Sequence, residues 1–193
     1  MNKQRVLDVL RAGNRRYLDR TPREKQRTPA ATAGRQAPFC VVLSCADSRV
    51  PVEMIFDQDI GDLFVIRVAG NVASEEAVAS AEYAVAHLGA AVVMVMGHTA
   101  CGAVAAARDA AGQLDTLPSD NLRKLVGHIV PSIEATGKGD PETWVDRAVE
   151  HNVHRAVERL QASPVIREHV DRGVLEFIEA VYHLDSGDVG FVA

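Results

Sequence analysis

Several things are missing from this sequence, and each absence narrows what the chain can be. There is no excess of positive charge: 21 basic against 26 acidic residues leave a formal net charge of −5, which argues against a nucleic-acid partner, where a basic face is expected. No apolar run approaches the roughly 20 residues needed to cross a bilayer. The N-terminus reads Met1-Asn2-Lys3-Gln4-Arg5 and charges recur through Arg20, so the apolar core of a secretory signal is missing too. Cysteine is scarce and odd in number. Cys40, Cys45 and Cys101 cannot all pair within the chain and do not resemble the dense, even framework of a small secreted domain. A reducing, cytoplasmic setting is expected, with no membrane association. Internal repeats and low-complexity tracts are absent as well.

What is present suffices for a core. The chain has 193 residues, 47% of them hydrophobic, enough for one sizeable interior, so a single domain over residues 1–193 is expected. Residues 2–19 carry Val6, Leu7, Leu10, Tyr17 and Leu18 among arginines, an amphipathic helical stripe. Residues 21–38 collect Pro22, Pro29, Gly34 and Pro38 and read as an extended arm, one that could cross a partner subunit. Residues 1–38 are thus an N-terminal helix and arm.

From there strand and helix alternate. Residues 39–43, 63–68 and 91–96 are apolar on both faces, as strands covered on both sides are. Ser74 with Glu75 and Glu76 starts a helix closed at Gly89. A second helix follows over residues 102–111. Residues 122–133 are amphipathic but broken or kinked at Pro131. Asp140-Pro141-Glu142 opens a helix to about residue 160, and Ser163-Pro164 opens a shorter one. Residues 174–184 form a fourth strand, and Gly187 turns the chain back into a last one over residues 189–192. The pattern predicts an α/β fold: a central, mainly parallel sheet of four parallel strands plus a short antiparallel C-terminal strand, flanked by helices.

Ligands of such sheets bind beyond the carboxyl ends of the strands. Two polar clusters sit there. One is Ser44-Cys45-Ala46-Asp47-Ser48-Arg49-Val50-Pro51, after the first strand; the other is Gly97-His98-Thr99-Ala100-Cys101-Gly102, after the third. Adjacency of the first and third strands would join them. Cys45, His98 and Cys101 are ligands that suit zinc, and three protein donors leave a fourth position for water or substrate, the pattern of a catalytic site. Cys40 points to the other face of its strand and reads as core. Asp47 either supplies a fourth ligand or pairs with Arg49 and leaves the metal open.

Cys45-x-Asp47-x-Arg49 followed by His98-x-x-Cys101 resembles the β-class carbonic anhydrases. The likeness extends to Val50-Pro51, Gly61 to Val65, Arg67 with Ala69-Gly70-Asn71, Glu82 to Val85, Gly102-Ala103-Val104, Asn152-Val153, Ser163-Pro164 and Tyr182 to Gly187, about the whole chain. It implies one zinc per chain on Cys45, His98 and Cys101. It implies reversible hydration of carbon dioxide to bicarbonate by zinc-bound hydroxide oriented by the Asp47–Arg49 dyad. Substrate contacts are implied from Gln58, Tyr83 and Gly102, with His87 a candidate to pass on the proton. A homodimer or a dimer-based tetramer is implied too.

Alternatives on the same scaffold are hydrolysis of carbon disulfide or carbonyl sulfide, and a catalytically silent zinc-binding regulator. With the sequence ending at Ala193, no blocking segment is expected to narrow access, and the intact dyad speaks for turnover. Nucleobase deamination needs a His-x-Glu and a Pro-Cys-x-x-Cys pair, and neither occurs. Val42 stands where the bicarbonate-inhibited subgroup carries tryptophan, and the only tryptophan is Trp144, so no inhibitory bicarbonate pocket is expected.

Overall fold

The structure, a computed structural model, describes residues 1–137, 139 and 141–192, the side chains of 141 and 142 aside. The helix cap expected at Asp140 and the chain end at Ala193 lie outside the described residues. In chain order the elements are α1 (Lys3–Leu18), α2 (Pro29–Thr32), β1 (Cys40–Ser44), α3 (Val52–Ile55), β2 (Leu63–Arg67), α4 (Glu75–Leu88), β3 (Val92–His98), α5 (Gly102–Ala110), α6 (Asp120–Thr136), α7 (Pro141–Gln161), α8 (Pro164–Asp171), β4 (Glu176–Tyr182) and β5 (Val189–Val192).

The sheet runs β2-β1-β3-β4-β5, parallel except for the β4–β5 pair. The α/β architecture expected from the alternation is therefore present. Every residue of β1 and β3 is buried, which follows from their central places and explains why they read as unbroken apolar runs. Alternate side chains feed two cores. Val41, Leu43, Val93 and Val95 pack with α4, α7 and α8 on one face, while Val42, Met94 and Met96 meet Val6 and Leu10 of α1 and Ile55 of α3 on the other. Cys40 belongs to the second core, and burial pushes its thiol up to about 12.

Helix starts follow capping chemistry. Asn2, Ser74, Ser119 and Ser163 each accept a backbone N–H of the first turn, and Gly89 closes α4 in the left-handed region at φ 69°. Of the break or kink expected at Pro131, the break is not made: α6 runs through it from Asp120 to Thr136. Ile129 and Ile133 on either side are buried among α5 and α7 side chains, and that packing outweighs the loss of one N–H. Among the described residues no helix is long and apolar enough to cross a membrane.

The N-terminal segment is fastened to its own chain. A Cβ at Gly13 would lie 1.8 Å from the Phe56 carbonyl oxygen, so α1 approaches the end of α3 as only glycine allows. Beside it the buried Asn14 donates to Ile55 and Gly187 carbonyls and accepts from the Val189 N–H. The start of the arm is tied to its own chain: Arg23 and Arg27 pair with Asp62, and Lys25 and Arg16 with Asp57. Ion pairing of the arm to residues 57–62 was not legible, because neither segment has a periodicity to announce it.

Candidate metal centre

The chain leaves β1 at Ser44 into a turn tied back to β2, with Ala46 N–H donating to Val68 O at 3.2 Å. Arg67, the last residue of β2, holds the same turn through its side chain. Its Nε donates to the Cys45 carbonyl at 3.1 Å and its Nη2 to the Asp47 carbonyl at 2.6 Å. Asp47 is gripped by Arg49, whose Nε donates to Oδ1 at 2.9 Å and Nη2 to Oδ2 at 2.7 Å, joined by the Arg49 backbone N–H at 2.9 Å. Those bonds, the guanidinium's first, outweigh desolvation and hold the Asp47 carboxyl well below the usual range.

The second cluster begins where β3 ends at His98. Thr99 N–H donates to the Tyr182 carbonyl at 3.0 Å, and Ala100 turns the chain at φ 53°. Cys101 is thereby delivered as the N-cap residue of α5. His98 Nδ1 lies 2.9 Å from the Thr99 carbonyl. A carbonyl only accepts, so Nδ1 carries the proton and Nε2 keeps its lone pair. Nε2 is buried with no hydrogen-bond partner in the protein.

Because β1 pairs with β3, the clusters meet. The ligand atoms of Cys45, His98 and Cys101 all lie within 4.8 Å of one another, and all three residues are buried. Asp47 Oδ2 stands 3.8 Å from His98 Nε2. Cys45 is pulled far down, first by the neighbouring Cys101 thiol and, against burial, by His98 and the Asp47 and Gly70 N–H groups; Cys101 is pushed up by the Cys45 sulfur and by burial. Burial draws the imidazole of His98 down, but the Cys45 sulfur, the Thr99 carbonyl and Asp47 outweigh it and leave it raised. Two sulfurs and an imidazole lone pair converge at one point. That donor set, with an orphaned buried nitrogen, fits zinc.

A carbonic anhydrase family model matches residues 40–189. The chain belongs to that family. Carbonic anhydrase 2 of Mycobacterium tuberculosis is 38% identical over 183 residues, covering 93% of this chain and 87% of that protein. Among solved structures, the Coccomyxa β-carbonic anhydrase in complex with acetazolamide superposes with a TM-score of 0.75 at 25% identity, covering 98% of this chain and 82% of that one. A tetrameric β-carbonic anhydrase from Sordaria macrospora gives a TM-score of 0.73 at 29% identity, covering 83% of each chain. The chain is an enzyme of the β-carbonic anhydrase class.

Within this β-class chain the expected substrate residues are scattered. Gly102 lies beside Cys101 at the start of α5, exposed, with open space where a Cβ would stand. Gln58 is buried elsewhere: its amide donates to the Phe56 carbonyl and accepts from Arg23 Nη2 at 3.1 Å, so its polar atoms are taken up locally. Tyr83 and His87 meet ring to ring, tilted by 38° with centroids 5.3 Å apart, on the exposed side of α4. They line an open cleft of about 660 Å³ with residues 32–37, and no member of the cysteine–histidine cluster borders it. Arg67 and Gly70 carry no sequence signal beyond the family likeness; what they do for the Cys45 turn is a long-range matter no local pattern announces.

Proposed function

We propose that the chain catalyses reversible hydration of carbon dioxide to bicarbonate and a proton, with one zinc per chain held by Cys45, His98 and Cys101. The observation that carries this is the convergence of three buried ligand atoms within 4.8 Å, with an ionised carboxylate 3.8 Å from the imidazole. Zinc, when bound, supplies Lewis acidity that makes water a nucleophile at neutral pH, as in other carbonic anhydrases. The remaining work belongs to the side chains.

Asp47, kept ionised by Arg49, only accepts hydrogen bonds. It therefore takes the O–H of the attacking group and leaves a lone pair turned to the substrate, a preorganised contact that costs no rearrangement during reaction. Oδ1 already receives two bonds from Arg49 and Oδ2 one, so Oδ2, the atom toward His98, has the spare capacity. Arg67 fixes the backbone on both sides of the loop and keeps Asp47 from drifting. Val68, Val72, Ala103 and Val104 belong to the same apolar cluster as Cys45 and Cys101, surroundings suited to an uncharged, weakly polar gas.

Tyr83, 47% exposed, and His87 have no role inside one chain's centre. We assign them to a neighbouring subunit's centre in a homodimer or dimer-based tetramer, with His87 passing protons to buffer, because the cleft they line borders none of their own chain's three candidate ligands. Zinc content and stopped-flow carbon dioxide hydration on one purified sample test the proposal. Hydrolysis of carbon disulfide or carbonyl sulfide in its place would redirect it to another substrate, and zinc without turnover would mark a silent regulator.

A further inference from the structure

The Cys45 sulfur is oriented by more than its own turn. Gly70 N–H donates to it at 3.2 Å, alongside Asp47 N–H at 3.4 Å. Gly70 sits in the left-handed region at φ 67°, and a Cβ there would lie 2.7 Å from Ile129 Cδ1 and 3.1 Å from Ala103 Cβ. The residue is therefore glycine both by conformation and by crowding. Asn71 follows at φ 44°, so the turn contains two successive residues in a conformation that needs outside support.

That support comes from α7. Asn152 Nδ2 donates to the Gly70 carbonyl at 2.7 Å, and its Oδ1 lies 3.4 Å from the Ser132 hydroxyl of α6. Both Asn152 and Ser132 are buried, at 4% and 0% exposure. The hydroxyl donates to Oδ1 and so fixes which end of the amide faces Gly70. A chain of contacts thus runs Ser132, Asn152, Gly70, Cys45, from two helices to one sulfur.

We propose that Asn152 is a positioning residue for the metal centre, holding the Gly70 turn so that its N–H points at the Cys45 sulfur. This rests on the metal reading above. Without the amide, the Gly70 carbonyl is buried unpaired and the turn relaxes toward another partner, taking the N–H off the sulfur. An N–H bond to a thiolate orients its lone pairs and offsets its charge, and losing such an outer contact typically lowers metal affinity about 10–100-fold.

The test is chelator competition with Zn²⁺ and with Co²⁺ on metal-stripped wild type, Asn152→Leu and Ser132→Ala, read with the sulfur-to-Co²⁺ charge-transfer band and the metal-free thermal midpoint. Asn152→Leu should bind both metals about 10–100-fold more weakly and shift the band, with Ser132→Ala changed less in the same direction. Unchanged affinity and band with only a lowered midpoint would make Asn152 a packing residue and overturn the proposal. If Asn152→Leu does not fold, Ser132→Ala decides: weaker binding supports the relay, unaltered binding overturns it. Wild type that binds neither metal would overturn the metal reading itself, an outcome visible before any variant is made.

Discussion

Arg49 holds Asp47 through three hydrogen bonds, two from its guanidinium and one from its own backbone N–H. The carboxylate is thereby ionised and aimed, with one oxygen turned toward His98. Neither residue is among the three that converge as metal ligands. Asp47→Ala and Arg49→Ala should therefore retain stoichiometric zinc while kcat/KM falls about 10²–10³-fold, the usual cost of one preorganised contact. Elemental analysis beside stopped-flow rates checks both halves; wild-type rates would remove the dyad from the mechanism.

Gln58 is expected to matter for stability and not for rate. Its amide satisfies the Phe56 carbonyl and Arg23 in a buried setting. Gln58→Ala should cost about 1–2 kcal/mol in denaturant unfolding and leave the hydration rate within about twofold. A large rate loss at unchanged stability would return Gln58 to the substrate.

Asp57 gives the fold an acid limit. Burial raises its pKa, but Lys25, Arg16 and the Arg23 N–H bring it from 3.8 down to about 2. A depressed carboxyl contributes stability that is full above the unfolded value and is lost as pH falls through the folded one. On the order of 2 kcal/mol should thus disappear between about pH 4 and 2. Asp57→Asn should be less stable at neutral pH and should flatten that limb in thermal melts; an unchanged acid limb would show that the arm's ion pairs do not hold it.

Val42 is fully buried in the core beneath β1, and the indole of Trp144 is engaged with the Gly137 carbonyl beyond α6. Without an indole beside the signature turn, no inhibitory bicarbonate site is expected. Between about pH 6.5 and 9 the hydration rate should follow one gradual titration, unaltered in shape by added bicarbonate. A steep, cooperative loss below pH 8 that bicarbonate deepens would show that Asp47 leaves Arg49 without help from tryptophan.

Much of this was legible because it is local. The buried strands β1 and β3 announce themselves as apolar runs, and the ends of α4 at Ser74 and Gly89 follow from capping chemistry. The two clusters could be joined from sequence because parallel sheets gather strand ends on one edge. Three things were not legible. Pro131 was read as a break or a kink, and of these the break is not made, because packing of Ile129 and Ile133 carries α6 through it. The contacts of Gln58 to the Phe56 carbonyl and to Arg23 depend on how the arm docks, which spacing from a motif does not show. Asn152 reaches Gly70 across 82 positions of sequence, a contact set by the docking of α7 that no local pattern encodes.

The central claim is that Cys45, His98 and Cys101 together hold one zinc that turns over carbon dioxide. Zinc content and hydration rate should be measured on the same samples of wild type, Cys45→Ala, His98→Ala and Cys101→Ala. The account predicts about one zinc per chain and rapid hydration in wild type, and loss of both in each variant, since a three-donor site lacks a spare ligand. Full zinc and unimpaired hydration in any one of the three variants would contradict it.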